Sequence, residues 1–113
     1  MADLVYINVE EGAKRVLNNT KLFAKLLGKF KEDNSINDLE VALANGDLEK
    51  AQAAAHTLKG IAANLSLTEL HKHCVEIESE IKAKAVNPDH IVVVKDIHAK
   101  TVIEVDKVIL EYA

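Results

Sequence analysis

Apolar residues recur along the chain at intervals of three and four positions, the spacing that places side chains on one face of an α-helix. Four segments carry such a stripe, and each is therefore predicted to be helical. In chain order the stripes are Leu22, Phe23, Leu26, Leu27 and Phe30; Ile36, Leu39, Val41 and Leu43; Leu48, Ala51, Ala55, Leu58, Ala62 and Leu65; and Leu67, Leu70, Cys74, Ile77 and Ile81.

The last segment, HIVVVKDIHAKTVIEVDKVILEY, gives a mixed signal. Its valines and isoleucines favour a β-strand. An alternation of apolar and polar residues, as in a strand, does not persist over the whole segment. Helical spacing does persist, at Val94, Ile97, Thr101, Val105, Val108 and Tyr112. We therefore predict a helix.

Capping signals divide the chain into helices joined by short turns. Asn8, with Glu11 three residues later, predicts a short first helix that runs towards Val16 and Leu17. The remaining signals are the stop Asn45-Gly46, the N-cap Asp47, the capping box SLTE that begins at Ser66, and Asn87 followed by Pro88 at the first helical position. The sequence thus predicts an all-α fold, an antiparallel up-down four-helix bundle with a short additional N-terminal helix, as a single domain over residues 1–113.

Composition narrows the class of protein. A chain of 113 residues that is 49% hydrophobic can build one core, and a single cysteine excludes an internal disulfide. The net charge of −4 argues against a nucleic-acid-binding protein. No apolar run reaches the roughly 20 residues that span a bilayer, and the start MADLVYINVEE does not look like a secretory signal. We expect a cytoplasmic monomer with no membrane or nucleic-acid partner.

The helix that follows Asp47 has an unusual second face. At 100° per residue, His56 lies about 160° from the core position Leu58. The stripe around it consists of Gln52, His56, Lys59, Gly60 and Ala63, which are small or uncharged apart from one histidine and one lysine. A merely solvated face would carry many charges, and a glycine inside a helix costs about 1 kcal/mol relative to alanine.

The turn at Ser66 folds the next helix back, so facing residues have numbers that sum to roughly 133. Ile77 or Glu78 should therefore lie near His56, and Cys74 near Lys59, to within about one helical turn. A carboxylate such as Glu78 could hold the imidazole of His56 in one orientation.

The stretch AHTLKGIAANL resembles the signature of histidine-containing phosphotransfer (HPt) domains, the phosphate carriers of His-Asp phosphorelays. The segments GAKRVLNNTKLFAKLLGKF, ALANGDLEKAQAAAHTLKG and LTELHKHCVEIESEI are also similar to this family, so the resemblance extends to about Ala85. It implies a four-helix bundle with His56 as the phosphoacceptor, and it implies that Lys59 and Gly60 are functional. The family commonly has glycine where this chain has Ser66, and we expect the capping box to make that turn instead.

Phosphate chemistry fits these residues. A histidine is mostly neutral at pH 7 and can act as a nucleophile, and Lys59 on the same face could counter the new negative charge. Phosphoryl transfer also requires Mg²⁺ and an acidic site. The sequence has no acidic cluster near His56, so we expect the chain to need no cofactor of its own and a partner receiver domain to supply Mg²⁺ and the catalytic aspartates.

Other histidines could suggest a metal site. His71, His73 and Cys74 form the run HKHC, and histidine and cysteine are zinc ligands. His71 and His73 differ by about 200° around a helix, so they cannot share one ion. We expect no metal, with Cys74 buried in the core and His90 and His98 structural or solvent-facing.

Two functions remain open after this reading. The first is a phosphorelay intermediate that works with response-regulator receiver domains and a hybrid sensor kinase. The second is a helical adaptor that binds signalling partners without being phosphorylated. An adaptor does not need a nucleophile on a bare face, so His56 favours the first. An ATP-consuming kinase is disfavoured because no nucleotide-binding motif is present.

Overall fold

The computed structural model describes residues 5–112, and within that range all regular secondary structure is helical. This confirms the predicted all-α class. The six helices are α1 (Val9–Lys14), α2 (Thr20–Glu32), α3 (Ser35–Ala44), α4 (Leu48–Asn64), α5 (Thr68–Lys82) and α6 (His90–Tyr112).

Several helix boundaries follow the predicted capping signals. The side chain of Asn8 accepts a hydrogen bond from the backbone N–H of Glu11 at 3.1 Å, and Asp47 accepts one from Lys50 at 3.1 Å. Gly46 has a φ of 70°, the left-handed conformation that glycine adopts without strain after a helix. These caps fix where α1 and α4 begin and where α3 ends.

The core is a single apolar cluster between the helices. Helix α4 packs against α3 on one side and α5 on the other, while α6 packs against α5 and α2. The predicted core face of α4 is buried apart from Leu48, which is half-buried. The largest fully buried apolar side chains are Phe23, Leu27, Leu39, Leu58, Leu67, Leu70, Ile77, Val94 and Val105.

Helix α6 is confirmed despite its strand-favouring composition, and its predicted face is buried apart from Tyr112, which is half-buried. It begins at His90 rather than at Pro88. The Asn87 side chain accepts a hydrogen bond from the backbone of Asp89 at 3.0 Å, so Pro88 lies in a capped turn just before the helix. Burial of one continuous face outweighs the intrinsic preference of β-branched residues.

The capping-box prediction at Ser66 was wrong. The N-cap of α5 is Leu67, and no side chain caps it. Ser66 has a φ of 56°, in the left-handed region. The serine therefore adopts the backbone conformation that a glycine would adopt there without strain. Its hydroxyl donates to Glu11 at 2.9 Å and accepts from Arg15 at 2.5 Å, which ties α1 to the α4–α5 turn.

The amino-terminal segment also differs from its prediction. Helix α1 ends at Lys14, before Val16 and Leu17. Leu17 and Asn18 have φ values of 57° and 60°, and Leu17 is almost fully exposed. This left-handed pair lies in the turn between α1 and α2, where Leu17 faces solvent. Leu22 is likewise exposed at the start of α2.

Within residues 5–112, none of the helices combines the length and the apolar character that crossing a membrane would require.

Two helical glycines provide a matched stability test. A Cβ at Gly12 would lie 2.5 Å from ring atoms of Phe23, which is fully buried, whereas a Cβ at Gly28 would meet nothing within 4 Å. We predict that Gly12→Ala lowers the free energy of unfolding by roughly 1–3 kcal/mol, because the buried ring cannot move aside freely. Gly28→Ala should raise it by about 0.5–1 kcal/mol. Urea unfolding of both variants measures the difference, and equal effects would contradict the packing of α1 on α2.

Candidate functional site

His56 projects from the middle of α4 into solvent, and its side chain is 70% exposed. Ala54, Ala55 and Leu58 on the same helix are buried, and their burial fixes the rotation of α4 so that position 56 points outward. The other four histidines, His71, His73, His90 and His98, are all only partly exposed. His56 is therefore the most accessible imidazole of the chain.

A buried carboxylate from α5 holds this imidazole. Glu78 is only 3% exposed, and its Oε2 lies 3.2 Å from His56 Nδ1. The antiparallel register of α4 and α5 brings the two residues together as the sequence predicted. If the Nδ1–H donates to this carboxylate, the other ring nitrogen, Nε2, carries its lone pair towards solvent.

Glu78 has a second and shorter contact. Its Oε1 lies 2.6 Å from the ammonium nitrogen of Lys59, whose side chain is largely buried, and its Oε2 lies 3.6 Å from the ammonium nitrogen of the exposed Lys82. Burial alone would raise the pKa of Glu78. The hydrogen bond and charge of Lys59, with the charges of Lys82 and His56, outweigh burial and lower this pKa below its usual value of 4.5. Glu78 is therefore ionised at neutral pH.

Lys59 thus occupies a more specific position than the sequence indicated. We expected its charge on the same face as His56, where it could meet a phosphate. In the structure its ammonium group binds Glu78, the carboxylate that also holds the histidine. Lys59 and His56 are joined through this one acidic side chain.

The surface around His56 is low and open. Gly60 is exposed, and a Cβ there would meet nothing within 4 Å, so no neighbouring helix requires glycine at this position. Gln52 and Ala63 are half-buried on the same face of α4. A shallow groove of about 430 Å³ runs beside the imidazole and is lined by Glu49, Gln52, Ala53, His56, Glu78 and Lys82.

Lys82 is the feature of this site that sequence reasoning missed. The signal was present, because Glu78 and Lys82 are four residues apart on a helix and must lie on one face. That spacing points to the site only once Glu78 is known to be buried beside His56. Lys82 is then a second cation at the edge of the groove.

Cys74 is buried, as predicted, and contributes no chemistry at this face. It has no solvent exposure, and burial, followed by the negative charge of Glu78, raises the pKa of its thiol to about 12. A thiol in this environment stays protonated and cannot act as a nucleophile at neutral pH.

Glu78→Gln tests the ionised, paired state of this carboxylate. Because the pKa of Glu78 is lower in the folded protein, its charge stabilises the fold above about pH 4.5, and this stabilisation is lost as the pH falls through the lower folded pKa. At pH 7 the free energy of unfolding of the variant should be lower than that of the wild type by roughly 1–3 kcal/mol, because Lys59 loses its charged partner. The difference from the wild type should shrink in acid.

Urea unfolding from pH 7 down to pH 3 measures this dependence. Glu69→Gln, which removes a carboxylate from the first turn of the same helix, is the control. A stability difference that stays constant over the whole pH range would contradict the assignment.

One of the comparisons with known proteins gives a match. The family model described as the Hpt domain matches residues 25–102, a range that covers most of the chain and contains all of α3, α4 and α5. Neither the curated proteins nor the solved structures gave a match. The matched range includes the exposed His56, its buried partner Glu78 and the open face of α4 around His56. The chain belongs to the Hpt domain family.

Proposed function

We propose that this protein is a phosphorelay intermediate that carries a phosphoryl group on His56 between aspartates of response-regulator receiver domains. The observation that supports this most strongly is the 3.2 Å contact between His56 Nδ1 and the buried carboxylate of Glu78, on the most exposed imidazole of the chain. Such a contact orients a nucleophile without burying it.

The transfer step uses the free ring nitrogen. Nε2 of His56 attacks the phosphorus of an aspartyl phosphate, the N–P bond forms, and the P–O bond to the aspartate breaks and releases its carboxylate. Glu78 keeps the proton on Nδ1, so that Nε2 has a lone pair for the attack. The positive charge that develops on the ring lies beside the Glu78 carboxylate, which stabilises it.

Lys59 and Lys82 supply the positive charges that balance the negative charges of the site. In the resting protein they neutralise Glu78, with ammonium–carboxylate distances of 2.6 and 3.6 Å. Lys82 is exposed, has the longer contact and lines the groove beside His56, so it can turn towards a phosphoryl group at little cost. Lys59 is held more firmly and acts chiefly as a positioning residue for Glu78.

The partner supplies the remaining chemistry. Mg²⁺ and the catalytic aspartates belong to the receiver domain, since phosphoryl transfer depends on charge neutralisation by a metal and in-line positioning. Gln52, Gly60 and Ala63 form the low surface on which that domain docks. The partners are receiver domains and a hybrid sensor kinase. We propose that the protein acts in the cytoplasm as a monomer. Residues 1–113 then form a single domain, built as an up-down bundle.

His56→Gln tests the phosphoacceptor. The variant should fold normally, because position 56 is exposed, and it should accept no phosphate from a phosphorylated receiver domain. Mass spectrometry under neutral conditions, which preserve phosphohistidine, locates the label. His71→Gln is the matched control and should accept phosphate as the wild type does. Phosphate that still appears on His56→Gln would overturn the proposal, and a wild-type protein that binds receivers without taking phosphate would indicate an adaptor.

Position 60 tests whether access to His56 limits transfer. Gly60→Ala should raise the free energy of unfolding by up to about 1 kcal/mol, because alanine is the better helix former and its Cβ meets no neighbour. The same change should slow phosphotransfer slightly. Gly60→Gln should also fold and should slow transfer by about tenfold to a hundredfold, because its side chain displaces the approaching receiver.

Gly28→Ala is the control for this series, since it adds the same methyl group to an open helix surface away from His56. Stopped-flow measurement of transfer from a phosphorylated receiver gives the rates. A Gly60→Gln variant that transfers at the wild-type rate would show that access at this position does not matter.

A further inference from the structure

A second cluster of titratable side chains lies apart from His56, where the middle of α5 meets the start of α6. His73 and Glu76 come from α5, and His90 is the first residue of α6. His73 Nδ1 lies 3.5 Å from His90 Nε2, and Glu76 Oε2 lies 3.7 Å from each of these nitrogens. Within residues 5–112, these three residues form the group that could hold a metal ion.

The separations are poor for hydrogen bonding and good for metal coordination. Good hydrogen bonds to nitrogen or oxygen span about 2.7–3.2 Å, so these three atoms converge without satisfying one another. A point equidistant from them lies about 2.1 Å from each, which is the bond length that zinc makes to imidazole nitrogen and carboxylate oxygen. The triangle therefore has the size of a zinc coordination sphere.

A further carboxylate prepares His90 for this role. Glu80 Oε2 lies 2.5 Å from His90 Nδ1, on the opposite side of the ring from the cluster. With the proton on Nδ1 donated to Glu80, the Nε2 lone pair faces His73 and Glu76. Metal-binding histidines are usually held in this way, by a carboxylate on the other ring nitrogen. The other oxygen of Glu80 accepts the backbone N–H of Asn87 at 3.0 Å, which anchors the connection between the helices.

Burial also suits a metal site. The side chains of His90 and His73 are only 11% and 18% exposed, and Glu76 is about half exposed on the solvent side. Two largely buried imidazoles therefore lie beside an accessible carboxylate, on whose solvent side water could serve as a fourth ligand. The rings meet edge to face, with centroids 5.7 Å apart, so both nitrogens can point towards one centre.

We propose that His73, Glu76 and His90 form a binding site for a divalent transition metal of the zinc class, with Glu80 as the positioning residue for His90. The ion would join α5 to the first turn of α6 and act as a clamp across the connection between them. Because the three ligands converge only in the folded chain, metal binding should stabilise the fold.

Sequence reasoning could not find this site. It considered His73 only within the run HKHC, where His71 and His73 cannot share an ion, and it expected His90 to be structural or solvent-facing. The ligand spacing is local only for His73 and Glu76, three residues apart on α5. The position of the third ligand, His90, depends on the connection between α5 and α6. Helical periodicity does not predict the path of that connection.

Titration calorimetry with ZnCl₂ tests the site in the full chain. We expect one Zn²⁺ per chain with micromolar or tighter affinity, weaker at lower pH because binding releases protons. Glu76→Gln changes an exposed side chain and should fold normally, yet it should weaken binding at least tenfold, as should His90→Gln. Glu80→Gln, which leaves all three ligands in place, should weaken binding by about 10–100-fold.

Matched controls separate this site from the other histidines. His71→Gln and His56→Gln should both bind Zn²⁺ as the wild type does, and Co²⁺ should give the visible absorption of a four-coordinate complex in both. The same concentration of Zn²⁺ should raise the melting temperature of the wild type by several degrees and that of Glu76→Gln by clearly less. Binding that appears only at millimolar Zn²⁺, or that survives both Glu76→Gln and His90→Gln, would overturn the proposal. Neither result depends on phosphotransfer.

Discussion

The burial of one carboxylate, Glu78, is the constraint on which the candidate site depends. An ionised carboxylate out of water is costly unless charged or hydrogen-bonding partners surround it. Lys59 meets one oxygen and His56 the other, and both come from the neighbouring helix. A shift of α5 against α4 by one helical turn would leave this charge unpaired inside the protein. The same pairing that makes the burial tolerable therefore fixes the register of the two helices and the orientation of the imidazole.

Much of this site could be predicted from sequence because it depends on helical periodicity. The outward position of His56, the core face of α4 and the approach of Glu78 all follow from 3.6 residues per turn and an antiparallel hairpin. The buried depth of Glu78 and its contact with Lys59 could not be predicted, because they depend on how closely the helices pack. A glutamate in a helix is exposed far more often than buried.

The errors fall where the chain leaves regular helices. Ser66 fits a capping box by sequence, yet its hydroxyl bonds to Glu11 and Arg15 of a distant helix, and its backbone is left-handed. Leu17 lies in a left-handed turn and faces solvent. Short-range capping rules do not include partners that are far away in sequence. The same limit hid the approach of His90 to His73.

Helix α5 brings its acidic residues to two separate places. Glu78 faces α4 and holds His56, whereas Glu76 and Glu80, each about 200° away around the helix, face His73 and His90. An ion at the second place would hold the middle of α5 to α6 on the side of the helix away from His56. The helix whose Glu78 contacts His56 would then be tied to α6 by coordination as well as by the core.

The most direct test of the account is to establish which ring nitrogen of His56, the proposed phosphoacceptor, carries phosphate after transfer. Phosphorus and ¹⁵N NMR of the protein, phosphorylated by a receiver domain, distinguish the two isomers. If Glu78 holds Nδ1, the phosphate is on Nε2 of His56 in the wild type. A phosphate on Nδ1 would contradict the central claim, because that nitrogen would then be free of Glu78 at the moment of transfer.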